Sequence, residues 1–283
     1  MNVDLNFAPL DDTLALYTII YSENWEEARN FLCSTQMADE DLRRFVLFSN
    51  NEGRTLLTMK LQERSGSRSR ISIQHIPADI VVRLIEIGGR DLVTIRNQRD
   101  NRTPLHYACM EDGSTRRVIE ALINYGGMDL VYAIDRDDMT ALHYVCNGPY
   151  ASTEVVLAML ISGGKDLVMA QDSDGRTALH YACLQTSPAN VLVVPYLINQ
   201  GGFDLVFMTD TTQRTALHLA CCLKCPSIDI IRTLVQNGGT DLVRMQDLMQ
   251  WTALDFVKKE ENSHQIIAVV FLLRMTLLPR VQP

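Results

Sequence analysis

One heptapeptide recurs through this chain at an almost fixed interval. It stands as Thr103-Pro-Leu-His-Tyr-Ala-Cys109, Thr140-Ala-Leu-His-Tyr-Val-Cys146, Thr177-Ala-Leu-His-Tyr-Ala-Cys183 and Thr215-Ala-Leu-His-Leu-Ala-Cys221. It returns in altered form as Thr252-Ala-Leu-Asp-Phe-Val-Lys258, and the five threonines are 37, 37, 38 and 37 residues apart. A period of this length is the signature of stacked units, each burying its apolar face on the next. Such a chain cannot close around one core.

The units share more than the heptapeptide. A polar break follows it, then a strongly apolar helical segment, as in Thr115 to Tyr125 and Thr153 to Ile161. Apolar residues on more than one face predict that these helices are covered on two sides. Each segment runs into Gly-Gly, at Gly88-Gly89, Gly126-Gly127, Gly163-Gly164, Gly201-Gly202 and Gly238-Gly239. Glycine past a last turn is a common helix stop, so the following Asp-Leu-Val reads as an extended segment leading to a turn such as Asp172-Ser-Asp-Gly175. Upstream, Thr55-Leu-Leu-Thr-Met59 is an earlier unit with Thr58 in the histidine position. The interval from Thr55 to Thr103 is 48 residues because the basic, hydroxyl-rich stretch Arg64 to Ser72 interrupts it.

The Thr-x-Leu-His helix resembles the first helix of an ankyrin repeat, in a version longer than the usual period of about 33 residues. That resemblance implies an all-α, helix–turn–helix solenoid with connecting β-hairpin loops. On this reading residues 1–12 form an acidic, disordered tail and 13–49 a degenerate helical cap. Residues 50–262 form the repeat array, and 263–283 a C-terminal capping helix and tail. The resemblance also implies a protein–protein interaction scaffold or adaptor with no catalytic site. Its partner would lie on a concave face made of hairpins and first helices.

Composition narrows the alternatives. A formal net charge of −8 argues against general nucleic-acid binding, which needs a basic footprint. The first dozen residues lack a basic region and a long apolar run, so no secretory signal is expected. No stretch reaches the 18 or so apolar residues of a membrane helix. Four of the seven cysteines occupy one repeat position, which records the repeat rather than a disulfide framework. Helices about 8–10 Å apart hold such cysteines beyond the ~7 Å Cα separation that a disulfide spans. Mostly buried thiols fit a reducing compartment, the cytosol or nucleus.

His and Cys three apart on one face, as in His180/Cys183, could offer two zinc ligands. A second pair on the next helix is too remote to complete a tetrahedral set, so no metal or other cofactor is expected. The structural reading has threonine cap the helix while histidine ties it to the adjoining turn. Cys221-Cys222-Leu-Lys-Cys225 departs from the repeat, and Cys222 or Cys225 beside Lys224 is the candidate redox-sensing thiol. A redox-sensing or docking subunit of a larger enzyme assembly is therefore the competing function.

Two surfaces are candidates for binding. The residues before each motif threonine form a column: Arg54, Arg102, Met139, Arg176, Arg214 and Trp251. Arginine and tryptophan often dominate binding energy. The second is the segment Ile266 to Leu278, with only Arg274 and Thr276 to face water. Its Ile267, Val270 and Phe271 are expected to dock on a second copy or on another protein. Pro195, inside the segment Pro188 to Ile198, marks an expected weak point of the array.

Overall fold

The computed structural model describes residues 18–20, 22, 24–34, 39–47, 49, 55, 57–58, 77–110, 116–148, 152–185 and 187–259. Arg54, the stretch 64–72 and the segment carrying Ile267, Val270 and Phe271 lie outside the described residues. Helices dominate the described chain, and no strand longer than an isolated bridge occurs among them. The chain divides into two compact units, Met1–Leu130 and Val131–Pro283.

The first unit holds α1 (Trp25–Ser34), α2 (Asp39–Leu47), α3 (Ala78–Thr94), α4 (Pro104–Met110) and most of α5 (Arg116–Val131). Ala28, Leu32, Leu42 and Val46 of α1 and α2 are buried together with Ile80, Leu84, Ile85 and Leu92 of α3. Ion pairs Arg29–Asp79 and Arg43–Asp91 cross the same contact at its exposed edge. Exposed pairs of this kind contribute little to stability, so the apolar burial carries the packing.

In the second unit short helices α6 (Ala141–Asn147), α8 (Ala178–Cys183), α10 (Ala216–Cys221) and α12 (Ala253–Lys259) pack in one row. The longer α7 (Thr153–Met169), α9 (Pro188–Phe207) and α11 (Ile228–Arg244) pack in a second row beside it. Every side chain of α8 and α10 is buried, which explains the run of small and apolar residues after each threonine. The long helices are covered on two sides, as the sequence suggests: α7 and α11 both pack against α9, and the short α8 packs against it as well. α9 is apolar around most of its circumference, yet it leaves Leu192, Tyr196 and Phe203 exposed, and α7 leaves Ile161 exposed.

Gly-Gly is not a helix stop. Gly202 adopts φ 73° and ψ −161°, a region open to glycine alone, and helical geometry resumes after it through Leu205 and Val206. Asp-Leu-Val is thus a helical turn rather than an extended segment, and its Leu and Val are fully buried in all five copies. The first glycine has a separate reason. A Cβ on Gly201 would lie 2.6 Å from Leu205 Cβ, inside any real contact. One glycine bends the helix and the other makes room for the leucine that the bend swings inward.

Three connecting hairpins of the second unit are reduced to one antiparallel bridge, Ile134 with Thr140, Thr209 with Thr215 and Gln246 with Thr252, and one more such bridge, Ser49 with Thr55, is in the first unit. Pro195 removes a backbone donor inside α9, but the only non-helical residue of that helix is Gly202.

Candidate functional site

Ahead of each short helix, each repeat of the second unit presents a four-residue turn built on a buried aspartate. Asp172 Oδ1 accepts from the N–H of Asp174 (2.9 Å) and of Arg176 (2.8 Å). Asp135, Asp210 and Asp247 do the same for the residues two and four positions on. The last residue of each turn has positive φ: Asp138, Gly175, Gln213 and Gln250.

The second carboxylate oxygen needs a donor of its own. Tyr144 and Tyr181 hydroxyls donate to Asp135 and Asp172. Burial, with the Asp172 carboxylate beside it, pushes Tyr181 up to about 12. Where Leu219 replaces tyrosine, Arg214 takes over and donates to Asp210 Oδ2 through Nε (3.2 Å) and Nη2 (3.1 Å). Burial pulls Asp210 upward, but the Thr212 hydroxyl, the Arg214 N–H and the Arg214 charge outweigh it and hold the carboxyl below its ordinary value. In the first unit Asn97 occupies the turn position and donates to the Tyr107 hydroxyl at 2.7 Å. The sequence reading missed this partnership because its members lie about nine residues apart and change identity between repeats.

The motif histidine joins one repeat to the next. Thr177 N–H donates to His180 Nδ1 at 3.1 Å, and the Thr177 hydroxyl lies 2.9 Å from the same nitrogen. An N–H can only donate, so Nδ1 carries no proton and Nε2 does. Nε2 then donates to Arg214 O of the following turn (3.3 Å). His143 likewise reaches Ala170 O and Arg176 O, and His218 reaches Met245 O and Trp251 O. Burial lowers all three, His180 to about 4, so the neutral form is the structural one. The altered units keep only half of this device. Thr58 and Asp255 accept from Thr55 N–H and Thr252 N–H, closing the cap with side chains that carry no second ring nitrogen.

The turns also bond directly to one another. Ser173 N–H donates to Asp137 O (3.0 Å), Thr211 N–H to Asp174 O (2.8 Å) and Leu248 N–H to Thr212 O (3.1 Å). Met139, Arg176, Arg214 and Trp251 therefore stand in register, their N–H held by the aspartate of their own turn. These backbone contacts do not depend on the side chain at that position.

Within this unit the expected column is present but uneven. Met139 is buried against Tyr181, so it offers no surface and is a correction to the column. Arg176 is 26% exposed and lies 3.3 Å from Asp174 and 4.0 Å from Asp210. Arg214 is spent on Asp210, as above. Trp251 sets its ring against Phe256 at a centroid distance of 5.3 Å. In the first unit Arg102 lies 3.5 Å from Asp100.

Cys109, Cys146, Cys183 and Cys221 are buried, whereas Cys33, Cys222 and Cys225 are exposed, and none is bridged. Burial pushes Cys146 up to about 12 and raises Cys183 and Cys221 further, so these thiols stay protonated and unreactive. Among the described residues no cluster of three or more His, Cys, Asp or Glu could hold a metal ion. No helix among them is long and apolar enough to cross a membrane.

Turn, capped short helix and bent long helix define a helix–turn–helix repeat module. The family described as Ankyrin repeats (3 copies) matches residues 72–168 and again 150–246, together more than half of the chain, and the protein belongs to that family. Ankyrin repeats are in general protein–protein interaction modules, and the family is typically non-catalytic. No curated protein matches the chain.

Proposed function

We propose that this protein is an interaction scaffold or adaptor that holds a protein partner against the turns of its second unit. The observation that carries the reading is the register of those turns. Backbone bonds fix them at constant spacing while the tip residues differ from turn to turn, so the surface is rigid and chemically individual. A preformed surface loses little conformational freedom on binding. Seven unbridged cysteines, four of them buried, fit a reducing compartment, and we place the protein in the cytosol or nucleus. The competing reading, thiol chemistry, has in its favour the exposure of Cys222 and Cys225.

Arg176 and Arg214 are not equivalent probes of this surface. Arg214→Ala strips the cation from a buried carboxylate and will lower stability, by about 3 kcal/mol. Arg176→Ala leaves Asp210 its Arg214 donors and will weaken partner capture with thermal stability nearly unchanged. The direct test is photo-crosslinking in native cell extract from Asp174 or Met249 on the turns, against exposed Gln236 on α11. Partner crosslinking from the turn positions supports the reading. Crosslinking from position 236 alone would sink it.

A further inference from the structure

The tips of the four turns form a chemical gradient. The two residues after each buried aspartate are Arg136-Asp137, Ser173-Asp174, Thr211-Thr212 and Leu248-Met249. All eight are exposed. The first turn adds exposed Asp138, so its exposed tip, Arg136 to Asp138, holds two carboxylates against one guanidinium and a formal charge of −1. In the second, Arg176 lies against Asp174 and offsets it. The third has no exposed charge at its tip, since Arg214 is directed at buried Asp210. The fourth is apolar, with Leu248 60% and Met249 78% exposed.

Folding gives no reason for Leu-Met at that tip. The backbone N–H of Leu248 and of Met249 is satisfied by Thr212 O and Asp247 Oδ1, and neither bond depends on the side chain. Turn tips are ordinarily polar because they face water. Three sister turns with the same backbone obey that rule. A leucine and an adaptable methionine left in water beside Trp251 are the composition of an apolar anchor site.

We infer that the partner of this face presents an extended segment with basic residues at one end and a bulky apolar side chain at the other. This rests on the turn-face reading above and adds the chemistry of the occupant. The lysine or arginine end lies against Asp137 and Asp138, and the apolar end against Leu248, Met249 and Trp251. Three repeat intervals of about 8–10 Å each separate the two ends. At about 3.3 Å per residue, an extended chain crosses that span in roughly seven to nine residues.

The test is selection of a phage-displayed random 16-residue peptide library on the whole protein. Enriched peptides are expected to carry Lys or Arg roughly seven to nine positions from a large apolar residue. Asp137→Asn with Asp138→Asn should weaken them about tenfold and flatten their salt dependence; asparagine tolerates the left-handed φ of position 138. Leu248→Ser with Met249→Ser should weaken them at least as much, with an unchanged melting temperature showing that the fold persists. Peptides of other chemistry that still depend on residues 248 and 249 would overturn this inference and leave the turn face standing. Peptides indifferent to both pairs, or no dependent peptide at all, would overturn it too. Crosslinking of the native partner judges the face independently.

Discussion

A proton on the motif histidine breaks one of the ties between a repeat and the next. His143, His180 and His218 each accept at Nδ1 and donate at Nε2, so the neutral ring alone fits both partners. Protonating Nδ1 sets a donor against the threonine N–H. The folded pKa of His180, about 4, lies below the ordinary value of 6.5, so between these values the unfolded chain binds more protons than the folded one. Stability is therefore complete above pH 6.5 and falls as the pH drops toward 4, by about 3 kcal/mol for His180 alone. His143 and His218 shift in the same direction and add to it. Asp210 and Asp255 are held below 3.8 and register only at lower pH. Urea midpoints measured from pH 7 to pH 4.5 check this, and a flat profile would contradict it.

Among the described elements, α9 is the one with a proline in its interior. Pro195 takes away a backbone donor, and Val193 and Val194 beside it are weak helix formers. Both valines are fully buried, so packing rather than propensity keeps α9 helical. Amide exchange should accordingly be faster in 188–198 than in 153–163 of α7 or 228–238 of α11, and equal protection would show that packing cancels the defect. Much of this architecture was legible in the sequence, because Thr-x-Leu-His spells out a cap at fixed intervals. The Gly-Gly bend was misread for a physical reason: positive φ at Gly202 suits a cap, but its ψ of −161° returns the chain to a helix. That distinction is invisible in residue identity. The turn network was hidden for another reason. Tyrosine at two turns and arginine at a third satisfy the same carboxylate, so no single residue pair marks it. The column before each threonine could be placed by counting, but the burial of Met139 could not.

At the scale of the whole molecule, the repeats should open one block at a time rather than together, since each contacts only its neighbours. Under native conditions, alkylation is expected to label Cys33, Cys222 and Cys225 within minutes and to leave Cys109, Cys146, Cys183 and Cys221 protected. Rapid labelling of all seven would deny the burial on which the packing rests. The protected sulfurs sit at one equivalent position per repeat, so every repeat from Thr103 to Cys221 holds its own wild-type timer. Trapping rates at the four sites, read by mass spectrometry across a denaturant series, would yield a separate opening free energy for each repeat. Together the four values constrain the intrinsic and neighbour-coupling terms of a one-dimensional chain of spins, and in this protein they can be read without a single substitution.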